Sequence, residues 1–407
     1  MEVNFARLKR DLAALAGIGR MPTGGVSRPS WSDADAEARR WLLQRLREAG
    51  LEARVDQAGN IFGRWQPGSP VVLTGSHIDS VPDGGTLDGA LGVLAALEAL
   101  RRVKEERLAL RCPLELVAFS DEEGAFGGFF GSFAFTGALA AEAVPAMRNA
   151  EGVSIVKAMA RHGLNALHAP AAARDPRDLC AYVELHIEQG RVLEAAGVPI
   201  GIVDDIVGIR RYAVRFIGRA DHAGTTPLAE RKDALLGAAD LALRARQLVL
   251  ARGTPASRVT VGTLRLAPGA SNIVPAEALL SLELREVAAE RLRGLAEASL
   301  ALARTIAGEW GLEVVIEPVL AIEPVAMAPE VKAAIAASAE ERGLRTLHLP
   351  AMAGHDAQVV GRVAKAGMLF VPSREGRSHS PMEFTADEDL EHGANVLLST
   401  LLRLAAR

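Results

Sequence analysis

The sequence predicts an α/β fold, a mixed sheet flanked by helices, carrying an inserted ferredoxin-like α+β domain. Two observations predict it. In the first half, apolar strand-like runs alternate with helix-like stretches, the pattern of a sheet covered on both faces. From about 211 the order becomes β-α-β-β-α-β, the split βαβ unit, and after about 327 helix, loop and strand resume. The chain therefore divides into a main domain split in sequence, 1–210 and 327–407, and an inserted domain, 211–326.

The elements follow in order. "WSDADAEARRWLLQRLREAG" reads as a helix, with Ser32 as N-cap, acids in the first turns and Gly50 as its stop. "LEARVD" and "NIFGRW" are short strands, "PVVLTGSH" a strand, 88–104 a helix, and "LELVAFS" and "AYVELHIE" two further strands. In the insert, "RYAVRFIGR", "SRVTVGTLRL", "EALLSLELREV" and "LEVVIEPVLAI" read as strands. "RKDALLGAADLALRARQLVLARG" and "AAERLRGLAEASLALARTIAGEWG" read as helices, and the chain closes on the helix "DEDLEHGANVLLSTLLRLAA".

Composition narrows the class. The 407 residues are 49% hydrophobic and 24% charged, ordinary for a globular protein. A net charge of -4 gives no footprint for nucleic acid or an anionic membrane. No window approaches about 18 uninterrupted apolar residues, and the charge-broken N-terminus is unlike a secretory leader. Cys112 and Cys180 show no CxxC spacing and read as core thiols of a reducing compartment, not as a disulfide or thiolate metal site. A cytoplasmic protein is expected.

Chemistry concentrates at strand ends. His77 in "GSHIDS", Asp88 in "TLDGALGV", Glu122 and Glu123 in "FSDEEG", His186 in "VELHIEQG" and His379 in "SREGRSHSPMEF" follow strands or lie in loops beside them. Singly each is ordinary, because a lone histidine at a strand end is often structural. Jointly they are not. Converging carboxylates repel unless a cation neutralises them, and imidazole with carboxylate is the ligand set of zinc and related ions. Glu122 and Glu123 cannot both face one point from a regular strand, so a turn near Gly124 is expected.

These segments, with "GRADHAGTTP", "GASNIVP", "AGHDAQ" and "FVPSREGRSHSP", resemble the amidohydrolase branch of the M20 metallopeptidase clan. That branch holds N-carbamoyl-L-amino acid hydrolases, allantoate amidohydrolases and β-ureidopropionases. The resemblance covers nearly the whole chain, insert included. "ELHIEQG" is its most specific piece, because peptidase members usually carry an acidic ligand there. It implies a metallopeptidase-like catalytic domain with two divalent ions, zinc or else manganese, cobalt or nickel. His77, Asp88 and His186 would hold one ion and Asp88, Glu123 and His379 the other, with Glu122 as general base and Asp79 orienting His77. In the insert, a lid and dimerisation domain, His222 would brace the oxyanion, supplied by the neighbouring subunit of a homodimer. Asn272 and Arg285 would hold the substrate carboxylate, Gln189 its ureido or carboxylate end, and His355 would line the same pocket.

The implied reaction is hydrolysis of the C–N bond of an N-carbamoyl group, most simply of an N-carbamoyl-L-amino acid to amino acid, ammonia and carbon dioxide. Allantoate and N-carbamoyl-β-alanine present the same ureido and carboxylate groups. The further alternatives are an M20-type aminoacylase or dipeptidase, and a non-catalytic metal-dependent binding protein, which would have lost the base or a ligand. One departure stands out. Where family members often continue with an arginine and a longer loop, this chain reads "EEGAFGGFFGS", whose Phe126, Phe129 and Phe130 either pack beneath the sheet or shape the substrate pocket. Asp83 has no role in this reading.

Overall fold

The structure, a computed structural model, describes residues 1–406. It divides into two units, Met1–Asp204 with Ala326–Arg407, and Asp205–Val325. The first boundary, between Asp204 and Asp205, falls inside the continuous strand Ile200–Ile206, where the backbone makes no break.

The chain opens with α1 (Phe5–Gly17), capped by the Asn4 side chain and burying Leu8, Leu12 and Leu15. In α2 (Asp33–Glu48) the Ser32 hydroxyl accepts from the Asp35 N–H, as its cap position requires. Then come β1 (Glu52–Val55), β2 (Ile61–Arg64), β3 (Val71–His77), α3 (Ala90–Glu105) and β4 (Leu114–Phe119). A loop-rich stretch with short helices α4 (Phe130–Phe135) and α5 (Ile155–Ala160) leads to β5 (Leu179–Ile187), α6 (Val192–Ala196) and β6 (Ile200–Ile206). The smaller unit contributes β7 (Gly208–Ile217), β8 (Asp221–His222), α7 (Ala234–Arg252), β9 (Arg258–Thr260), β10 (Leu264–Ala267), β11 (Ile273–Val274), β12 (Glu277–Glu286), α8 (Ala289–Trp310) and β13 (Glu313–Ile322). The chain ends with β14 (Val325–Ala326), α9 (Pro329–Glu340), β15 (Thr346–Ala351), α10 (Asp356–Val360), β16 (Ala366–Val371) and α11 (Asp387–Ala405).

The large sheet runs β1-β2-β4-β3-β5-β16-β6-β14, with β15 beside β6. Its centre is parallel: β3 pairs with β4 and β5, and β5 with β16. Every residue of β3, β4 and β16 is buried, as parallel strands covered on both faces must be. Leucines and valines of α3, α9 and α11 pack on one face, while Phe62, Phe119 and Phe135 meet in a separate aromatic contact. Four parallel strands end at one edge, in register: His77 stands opposite Phe119, and His186 opposite Phe370. Ligands collect at such an edge.

The smaller unit is the expected β-α-β-β-α-β. Its sheet order is β10-β12-β7-β13, every pair antiparallel. Alternate residues of β12 are buried, facing a core built with α7 and α8. The single strand expected over "SRVTVGTLRL" is broken into β9 and β10, because the Gly262 and Thr263 N–H groups donate to the Ser281 hydroxyl.

One expectation is corrected. Cys112 and Cys180 are joined as a disulfide. Their 68-residue separation gave no hint of proximity, but Cys112 precedes β4 and Cys180 begins β5, and both strands flank β3.

Candidate metal centre

Each parallel strand delivers one part of the site. β3 ends on His77, and β5 carries His186 in its last turn of pleat. β4 ends at Phe119, after which Asp121 adopts a left-handed φ of 52° and Gly124 one of 86°. That break lets both glutamates face the site, and it begins earlier than the turn expected at Gly124. β16 leads into the loop of His379, itself left-handed with φ 52°. Strained residues gathered around one point are a hallmark of functional sites.

Asp88 is the hub. Its Oδ1 lies 3.1 Å from His186 Nε2 and 3.6 Å from His77 Nε2, and its Oδ2 lies 3.3 Å from His379 Nε2. Glu123 Oε2 is 3.4 Å from His379 Nε2, and Glu122 Oε2 is 3.5 Å from His77 Nε2. The donor atoms of His77, Asp88 and His186 lie within 4.8 Å of one another, as do those of Asp88, Glu123 and His379. The two triads share Asp88.

Ring tautomers fit this use. His77 Nδ1 sits 3.1 Å from the Asp79 carbonyl and His186 Nδ1 2.9 Å from the Ile187 carbonyl. A carbonyl only accepts, so each Nδ1 carries a proton, and Nε2 is the nitrogen turned towards Asp88 and left free to bind a metal once it loses its own proton. The Asp79 carboxylate also approaches His77 Nδ1, at 3.6 Å, and is held by the Ser30 hydroxyl and the Glu123 N–H. Gly89 makes the approach possible: its φ is 63°, and a Cβ there would fall 2.5 Å from the His77 ring.

The electrostatics call for cations. Burial pushes the Glu122 carboxyl well above the usual range, with repulsion from Asp356, Glu123 and Asp79 added and His77 opposing. Burial, then Asp88, raises Glu123 to about 7. Burial also acts against a charged Asp88, but hydrogen bonds from His186, His379 and His77 hold it well below the usual range. The hydrogen bond to Asp88 lifts His379 to about 9. Protons are thus drawn onto the imidazoles by the carboxylates crowded around them. Glu123 Oε1 and Asp79 Oδ1 are buried without a hydrogen-bond partner, and the donors are the imidazole and carboxylate set of divalent ions. The residues fit two metal ions.

Other expected residues fall as follows. Gln189, with a left-handed φ of 57°, donates from Nε2 to Asp88 Oδ2 at 2.8 Å. His355 is fully buried, edge-on to His186 with ring centroids 4.6 Å apart, and burial holds its pKa well below the usual value. In the smaller unit, β8 and β11 pair so that His222 stands opposite Ile273, and the Ala223 N–H donates to the Asn272 carbonyl. Arg285 is at the other end of β12, paired with Glu283. Phe126 and Phe130 are buried in a small core with Trp31 and Met159. Phe126 also lines a cavity of about 720 Å³ beside Asp79 and Glu123. Asp83 accepts from the Thr23 hydroxyl and shapes its own turn.

Sequence reasoning missed several partners. Asp121 is buried and accepts from the Phe126 N–H, shaping the glutamate loop. Glu184, two residues before His186 and so on the same face of β5, accepts from the Ser76 hydroxyl and forms a third cluster with His186 and His355. Ser378 and Glu383 sit beside Asp88. Only Glu184 had a usable signal, the period of two.

A mixed sheet gathering imidazoles and carboxylates at the ends of its parallel strands, in a chain that also carries a small antiparallel module, defines a hydrolase with a candidate two-metal centre. The chain belongs to the peptidase family M20/M25/M40, whose pattern matches residues 73–403, and within that clan to its hydantoinase/carbamoylase amidohydrolase branch. It is 40% identical to an N-carbamoyl-L-amino acid amidohydrolase of Geobacillus stearothermophilus over 404 residues, 98% of each chain. It is 38% identical to an allantoate amidohydrolase of Bacillus subtilis, over 96% of this chain and 95% of that one. A crystal structure of a hydantoinase/carbamoylase family amidase from Burkholderia multivorans matches with a TM-score of 0.90 and 35% identity, covering 100% of this chain and 99% of the other. No described helix is long and apolar enough to cross a membrane.

Proposed function

We propose that this protein hydrolyses the C–N bond of an N-carbamoyl group on an amino acid-like substrate, N-carbamoyl-L-amino acids first among them. The observation that carries the reading is the sharing of Asp88 between two ligand triads, with the His77 and His186 tautomers set to present Nε2. Two divalent ions, when bound, would supply Lewis-acid charge to the scissile carbonyl and acidify the attacking water. Glu122, buried and with its carboxyl raised, is suited to take the water's proton and pass it to the leaving nitrogen. Cleavage frees the amine and a carbamate, which falls apart to ammonia and carbon dioxide.

His222 is proposed to donate to the oxyanion. The Gly224 and Thr225 N–H groups donate to its Nδ1 at 3.0 and 3.1 Å, so its proton lies on Nε2, on an exposed ring. Asn272 stands beside it, whereas Arg285 lies eight residues along β12 from Glu277, about 27 Å at strand rise. One chain's Asn272 and Arg285 cannot then grip the same carboxylate. A homodimer in which His222 and Asn272 complete the neighbour's site reconciles the two. Exposed Leu236, Leu243 and Leu250, seven residues apart on α7, support a partner for the smaller unit. The cytoplasm remains the proposed location.

The test is a panel of N-carbamoyl-L-methionine, allantoate, N-carbamoyl-β-alanine, N-acetyl-L-methionine and a dipeptide. Ureido compounds should release ammonia with kcat/KM about 100-fold or more above the last two, since a site built to bond the ureido N–H rejects analogues lacking it. A preference for the dipeptide would overturn the reading.

A further inference from the structure

Glu383 has no part in the roles above, yet both its oxygens are committed. It is buried, Oε1 accepts from the Leu87 N–H at 2.8 Å and the Asp88 N–H at 3.2 Å, and Oε2 lies 3.0 Å from the Ser378 hydroxyl. That same hydroxyl is 2.8 Å from Asp88 Oδ2, the oxygen facing His379. Space has been cleared for the carboxylate: a Cβ on Gly85 would fall 1.9 Å from its Cδ. Asp88 and Glu383 are 295 residues apart in sequence. One buried side chain therefore ties the loop that presents Asp88 to the loop that presents His379.

We propose that Glu383 is a positioning residue that locks Asp88 and the His379 loop in one geometry and so sets the affinity for the ion held by Asp88, Glu123 and His379. The proposal rests on the two-ion reading above. Without Glu383, the Leu87 and Asp88 N–H groups lose their acceptor and Ser378 loses one of its anchors, so Asp88 can rotate away from the shared position. Removing a hydrogen-bond partner of a metal ligand typically weakens the metal by about 10- to 100-fold. That is the expected loss at the His379-side ion, with the ion at His77 and His186 less affected.

The experiment is a calorimetric zinc titration of the metal-stripped full chain as wild type, E383A, E383Q and S378A, with melting curves alongside. Wild type should bind two ions. E383A should lose about 10- to 100-fold at one ion and clearly less at the other, and E383Q, which keeps an acceptor for the two N–H groups, should regain most of it. S378A should show a smaller loss at the same ion. If E383A does not fold, S378A and E383Q decide: selective weakening in the first with near-normal binding in the second supports the proposal. Two ions bound as tightly in E383A or S378A as in wild type would overturn it, and so would equal loss of both ions. A wild type that binds fewer than two ions would instead refute the two-metal reading, so the failures are distinct.

Discussion

Gly89→Ala tests whether backbone geometry, and not only ligand identity, builds the centre. Gly89 has a φ of 63°, and placing an L side chain in the left-handed region costs about 1–2 kcal/mol. The new methyl would meet Cε1, Nδ1 and Nε2 of His77, each at 2.5 Å. The ring has little room to retreat, because it is buried and its Nδ1 is bonded to the Asp79 carbonyl. Overpacking of this kind costs about 1–3 kcal/mol. The sum, about 2–5 kcal/mol, must appear as lost stability, as displacement of His77, or as both. Differential scanning calorimetry and elemental analysis separate the two. A melting temperature lower by about 4–10 °C, or loss of an ion with the fold retained, is expected. An unchanged melting temperature with two ions bound would refute the steric argument.

Three further outcomes are expected. Glu122→Gln keeps the shape of the side chain, so kcat should fall about 100- to 10,000-fold with both ions retained; near-normal turnover would remove Glu122 as the base. His379, lifted to about 9 by its hydrogen bond to Asp88, is protonated below that pH in the metal-free protein and must lose the proton to bind. Affinity for its ion should therefore rise with pH up to about 9, and calorimetry in two buffers of different ionisation enthalpy should register the proton released; pH-independent binding would contradict this. Leu243→Asp with Leu250→Asp should convert the proposed dimer to a less active monomer in sedimentation velocity, whereas a fully active monomer would exclude His222 from the neighbour's site.

Much of the centre was legible because its ligands lie at the ends of apolar runs that can only be buried strands. His77, Glu122, Glu123 and His186 each follow such a run, and parallel pairing carries their spacing into one place. The surrounding scaffold was not legible. Ser30 and Glu383 reach the site through hydrogen bonds between segments far apart in sequence, and no local pattern records such contacts. The disulfide was hidden for the same reason: Cys112 and Cys180 become neighbours only once β4 and β5 flank β3. The resemblance likewise assigned Asn272 and Arg285 to one carboxylate, and the length of β12 that lies between them was not part of that pattern. The broken strand at Gly262 depended on Ser281 of a neighbouring strand.

The most direct measurement is anomalous diffraction from crystals of the metal-loaded protein. Two peaks are expected, one against His77 and His186 and one against Glu123 and His379, with the Asp88 carboxylate between them. A single peak, or ions that do not share Asp88, would contradict the two-metal centre on which the proposed hydrolysis depends.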